Sequence, residues 1–193
     1  MNSTLKIKDL VSIGVFAVVY FVVMFAVGMI GLVPVLFMVF PTLLGIVSGV
    51  IVMLFMAKVQ KAWALFIFGM LSPLLMFVMG HTYVIALHAF IIMLIAEFIR
   101  RAGGFRSFKH NLFAFAVFNM WICGSLMQML LATEKYRELT VTQMGEAYAN
   151  TLAQLINYPN MLLVYIGAFV GGIIGAYIGK ACLKKHFEKA GII

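Results

Sequence analysis

The 193-residue sequence predicts an all-α integral membrane protein: one domain over residues 1–193 with six transmembrane helices, both termini cytoplasmic, and an amphipathic outer helix in the 133–160 loop. Three observations predict it. The composition is 65% hydrophobic and 10% charged with a mean hydropathy of +1.12, which excludes an ordinary soluble domain. Six apolar runs reach the ~18 residues that a helix needs to cross about 30 Å of hydrocarbon. The basic residues, finally, fall almost entirely on one side of that six-span arrangement.

The first run, 10–30, is too long for a signal peptide, lacks a small-residue cleavage site and is followed by further runs, so it is read as a retained span. The second, 34–57, follows a short Gly31–Val33 connection and opens on Pro34, whose fixed φ and missing N–H suit a first helical turn. Lys58 to Lys61 lead to the third, 62–79, and Gly80-His81 to the fourth, 82–99. The fifth covers 111–132 and the sixth 161–182. Lys6, Lys8, Lys58, Lys61, Arg100, Arg101, Arg106, Lys109, Lys180, Lys184, Lys185 and Lys189 lie on one side of this arrangement, and only Lys135 and Arg137 lie opposite. Positive charge stays inside, so both ends are placed in the cytoplasm, and the net charge of +8 reports orientation rather than nucleic-acid binding. Trp63 suits an interfacial anchor.

Segment 133–160 is polar at first and then helical, with Met144, Tyr148, Thr151, Leu152, Leu155 and Ile156 recurring at three- and four-residue spacing. Such a stripe either covers the bundle mouth as a lid or floats among headgroups; the lid is the expectation. In the sixth span Gly167, Gly171, Gly175 and Gly179 repeat every fourth residue, a pattern that lets another helix backbone approach closely in lipid. It serves either the protein's own bundle or a partner. Cys123 and Cys182 sit at different depths and are expected to remain unpaired.

Chemistry concentrates in Met79–Phe90, "MGHTYVIALHAF". His81 and His88 are nearly two helical turns apart and therefore share a face, with His88 roughly 10 Å deeper. An ionisable ring at membrane depth marks a functional site by default, with hydrogen bonding to a neighbouring helix as the plainer alternative. Tyr83, Gln128, Asn160 and Tyr165 fall on the same outward half, Asn119 lies deeper, and Met24, Met79, Met127 and Met129 add apolar, flexible wall. Together they predict an outward pocket, apolar with a few hydrogen-bonding points. Enzyme templates fail: there is no His-Glu-x-x-His zinc motif, no phosphate loop, no histidine pair on separate spans, and no mid-membrane carboxylate, since Glu97 sits beside Arg100 and Arg101. No enzyme activity and no intrinsic cofactor are expected.

Several features resemble the substrate-binding S component of an energy-coupling factor (ECF) transporter, in a branch of conserved hypothetical integral membrane proteins. They are the six-span plan, the Lys6-Ile7-Lys8-Asp9-Leu10 start, Gly28-Met29-Ile30-Gly31-Leu32-Val33-Pro34, Met79-Gly80-His81, Gly171-Gly172 and the 183–191 tail. The resemblance implies capture of a small micronutrient outside the cell, then uptake with a membrane T subunit and two cytoplasmic ATPase subunits. It places the substrate on His81, Tyr83, His88, Gln128 and Tyr165, with the 144–156 helix as gate. Its T-subunit contact uses a small-residue pattern on the first helix, where this chain has Ser12, Gly14 and Ala17 in a different spacing; Gly171 and Gly175 form a second partner surface. The expected substrate is haem or another tetrapyrrole, ligated by His81 or His88 with a propionate near Lys135 or Arg137. A flavin-like or other planar vitamin is the alternative, and a non-transporting structural or regulatory membrane protein is the reading from another class.

Overall fold

The computed structural model describes residues 4–184 and 188, so most of the basic 183–191 tail, including Lys185 and Lys189, lies outside the described residues. Among those described there is no strand. Helix α1 (Ile7–Gly28) tightens into a 3-10 turn at Met29–Leu32, and α2 (Pro34–Lys58), α3 (Ala64–Val78) and α4 (Tyr83–Ala102) follow. Next come α5 (Phe108–Asn119), a 3-10 turn at Met120–Ile122, α6 (Cys123–Leu131), α7 (Thr133–Met144), α8 (Glu146–Leu155) and α9 (Tyr158–Cys182).

Among the described residues five stretches are long and apolar enough to cross a membrane: Ile7–Leu32, Pro34–Lys58, Tyr83–Ala102, Phe108–Leu131 and Tyr158–Cys182. The third expected run yields only the 15-residue α3, about 22 Å long at ~1.5 Å per residue. Trp63, with φ of 66°, starts it, and Gly80, with φ of 103°, follows its end. Left-handed residues at both flanks stop the helix from extending.

The tightest packing is between α2 and α9. A methyl group on Gly49 would meet the Gly175 carbonyl, one on Gly175 would meet the Gly45 carbonyl, and one on Gly171 would meet the Thr42 carbonyl. The two backbones touch, and dispersion between them replaces the hydrophobic drive that lipid cannot supply. This corrects one expectation: Gly171 and Gly175 are spent inside the bundle and offer no surface to a partner. Asn119 fastens the same region, its Nδ2 donating to the carbonyls of Pro41 at 2.9 Å and Ala168 at 2.8 Å. Inside, Phe68 stacks on Phe55 and Phe118, and Trp121 donates Nε1–H to the Tyr20 hydroxyl at 2.9 Å.

The two ends of the bundle differ in chemistry. At one, the buried Arg100 guanidinium donates to the carbonyls of Met56 at 2.9 Å and Val59 at 2.6 Å, closing the C-terminus of α2. Glu97 accepts from the Trp63 backbone N–H at 2.6 Å and pairs with Arg101 at 3.2 Å, while the Arg101 guanidinium lies 4.0 Å from the Trp63 ring centre. Lys58 over Phe16 and Lys180 over Phe108 belong to the same end, which is therefore the basic one. The opposite end carries α7 and α8.

Candidate functional site

Segment 133–160 folds as two helices rather than one. The polar first half becomes α7, opened by Glu134 in its first turn, where a carboxylate favours the helix dipole. Gly145, with φ of 86°, makes the corner into α8. Arg137 ties the pair by donating to Asn150 at 2.8 Å and facing Glu146 at 3.6 Å. Ala149 and Leu152 are fully buried against the body, Ile156 nearly so, and the Tyr148 hydroxyl donates to the Gly31 carbonyl in the 3-10 turn after α1. The hairpin is docked on the bundle. Tyr148→Phe removes the latch, at a cost of about 1 kcal/mol, and is expected to raise hydrogen exchange across α8 while leaving the α2–α9 core protected.

Beneath this roof lies a chamber of about 260 Å³, and adjoining it, between α1, α2 and the end of α3, lies a second of about 290 Å³ with no lining residue from the hairpin. Phe25, Gly28, Leu32, Phe37 and His81 line both. The deeper one adds Met24, Met76, Met79 and Ile122; the one under the roof adds Tyr136, Thr140 and Tyr148. Among the described residues that line them there is no charged side chain. Their size and apolar character suit one compact solute.

His81 is held by a fully assigned network. Gln128, buried in α6, accepts at Oε1 from the Thr82 backbone N–H at 2.7 Å and the Thr82 hydroxyl at 2.9 Å. A backbone N–H can only donate, so this atom is the amide oxygen. The amide nitrogen then donates to the Ser125 carbonyl at 3.1 Å and to His81 Nδ1 at 3.1 Å. Nδ1 is therefore the acceptor of the ring, and in the neutral imidazole the proton resides on Nε2.

Burial holds His81 below the ordinary histidine range. Gln128 would oppose that only by turning its oxygen to the ring, which the two Thr82 bonds prevent. Unfolded, the ring binds its proton near the usual 6.5, so as the pH falls through that value the unfolded chain takes up more protons than the folded one. The His81 contribution is complete above that pH and lost below it. Thermal stability is expected to fall between about pH 7.5 and about pH 5, less steeply in His81→Phe than in the wild type.

The structure divides the other expected site residues. His88 and Tyr165 form a separate pair: His88 Nδ1 meets the Trp121 carbonyl at 3.2 Å, which fixes the proton there, and Nε2 meets the Tyr165 hydroxyl at 2.5 Å. Both ring nitrogens are taken, and the ring lies against Gly124, where a methyl would meet Nδ1. Neither residue lines a chamber. Tyr83 is 61% exposed and lines neither. Lys135 is exposed and Arg137 is committed to α8. Met24 and Met79 line the deeper chamber, whereas Met127 touches Tyr165. On α1 the Ser12 hydroxyl folds back to the Lys8 carbonyl, while Gly14 and Ala17 line an apolar groove of about 370 Å³ with Leu71, Ser72 and Leu75 of α3.

A family model described as a hypothetical bacterial integral membrane protein, Trep_Strep, matches residues 7–189. The chain belongs to this family. No curated protein and no solved structure matches it. The Trep_Strep protein is accordingly a multi-pass protein of a bacterial membrane. The sequence expectation placed the polar groups of the pocket on the fourth to sixth spans and named Met24 and Met79 as wall, but not Phe25, Gly28, Leu32 or Phe37. The available signal was Gly28-Met29-Ile30-Gly31: two glycines three residues apart at the end of an apolar run mark backbone that something approaches closely. Tyr136 was missed too, because α7 has no apolar stripe, yet its ring centre lies 6.2 Å from that of His81.

Proposed function

We propose that this Trep_Strep protein is the S component of an ECF transporter. It crosses the membrane six times with both termini in the cytoplasm, the short α3 completing the count, and it captures a small micronutrient from outside. The clustering of described lysines and arginines at one end supports this orientation, because it sets the α7–α8 hairpin and the chambers beside it on the outer face. In this reading the protein performs no chemistry on its solute and carries no cofactor of its own. Uptake is driven by a membrane T subunit and two cytoplasmic ATPase subunits.

The observation that carries the reading is the pair of adjoining chambers at the end of the bundle that carries α7 and α8, one of them covered by the hairpin that the Tyr148 hydroxyl ties to Gly31. The groove at Gly14 and Ala17 supports a helix-docking surface for the T subunit: a methyl on Gly14 would meet nothing within 4 Å, so a partner backbone can come close there. Between the substrate classes, the donor form of His81 and the occupied nitrogens of His88 favour a planar vitamin held by hydrogen bonds over haem held by an axial histidine.

The test is co-expression with the T subunit and ATPases of the same bacterium. Tagged protein is expected to purify with all three, and Gly14→Leu to lose them while remaining monodisperse. Failure of the wild type to associate would favour the structural or regulatory reading instead.

A further inference from the structure

The hydrogen-bond network at His81 specifies what the chamber recognises, a step that rests on reading the chamber as a small-solute site. Thr82 fixes which way the Gln128 amide faces, and Gln128 fixes which nitrogen of His81 carries the proton. The free edge of the ring is then an N–H donor on the shared wall of the two chambers. For Nε2 to ligate a metal, the proton would have to move to Nδ1 and point at the Gln128 NH₂, two donors face to face. Turning the amide to relieve that clash would leave the buried Thr82 N–H facing another N–H. The remaining wall is mainly apolar, with the Tyr136, Thr140 and Tyr148 hydroxyls and the Gln143 amide as its other polar groups and no charged group among the described lining residues, and Arg137 is already paired with Asn150 and Glu146. An anion would enter without a counter-charge, and a cation would meet an N–H.

We infer that the chamber takes a neutral, largely apolar molecule that presents a hydrogen-bond acceptor, a carbonyl oxygen or an unprotonated ring nitrogen, to the Nε2–H of His81, with Gln128 and Thr82 as the positioning residues that hold His81 in this donor form. Aromatic side chains at Phe25, Phe37 and Tyr136 favour a flat one. His81 thus acts as a hydrogen-bond donor and not as a metal ligand.

The matched probes are isoquinoline and naphthalene, equal in shape and different in one ring nitrogen. Protein labelled with ¹⁵N-histidine is purified in mild detergent at neutral pH, and His81 is assigned by its absence from His81→Phe. The free wild type is expected to show a protonated Nε2 and an unprotonated Nδ1. Isoquinoline is expected to perturb the Nε2–H signal and to bind up to about tenfold more tightly than naphthalene, a preference that disappears in His81→Phe. Added haem is expected to give the same Soret band with wild type and His81→Phe. A reversed tautomer, equal binding of the two probes, or a Soret shift that depends on His81 would each overturn the inference. None of these readouts needs the natural substrate or the T subunit, so a failure of the transport reading would be seen separately, as failure of the complex to assemble.

Discussion

Gly175→Leu is expected to keep the bundle from assembling. The first side-chain atom would land on the Gly45 carbonyl and close to that of Ile46, and both are backbone atoms inside a helix that cannot turn aside. Overpacking a core that can adjust costs about 1–3 kcal/mol. Here α2 and α9 would have to separate along their length, and with total stabilities of about 5–15 kcal/mol a loss beyond that range leaves little folded protein. The check is the yield of monodisperse protein in detergent and its thermal midpoint, with Gly14→Leu as the control on an open face. A Gly175→Leu protein of wild-type stability that has lost its T subunit would show instead that the glycine ridge faces a partner.

Gly28→Leu is expected to do the opposite: preserve the fold and abolish binding. Gly28 has helical torsions, φ of −62° and ψ of −20°, and a methyl there would meet only the edge of the Phe40 ring at 3.4 Å. Removing a glycine from a helical position contributes up to about 1 kcal/mol of stability, so the thermal midpoint should hold or rise. The leucine side chain would occupy space shared by both chambers. Isoquinoline affinity is expected to drop at least about tenfold, as a filled cavity excludes its ligand. Unchanged affinity would mean that the probe binds elsewhere.

Much of this architecture was legible because lipid imposes two strong constraints, length and apolarity. Five of the apolar runs marked the candidate spans, whereas the third came out as the short α3 because the left-handed Trp63 is invisible to hydropathy. The sixth-span glycines were readable as close packing, but not as packing against α2, because the complementary glycines Gly45 and Gly49 carry the same pattern and a sequence does not say which ridges meet. At the site, His81 and Gln128 were both named, and they touch. His88 was grouped with His81 by helical spacing, which is sound for direction and silent on neighbours; the break in helix type at Met120–Ile122 brings the Trp121 carbonyl to it. On α1 Met24 was named, but Phe25 stayed hidden, as did Phe37 on α2, because each looks like any lipid-facing residue until the neighbouring elements are placed.

The central claim is that the adjoining chambers at the α7–α8 end of the bundle hold one small solute. Native mass spectrometry of the protein extracted from its own bacterial membrane tests it most directly. The account predicts a single non-lipid, uncharged compound bound one to one in the wild type and missing from Gly28→Leu. Wild-type protein that carries no such compound, or carries it equally in Gly28→Leu, would contradict it.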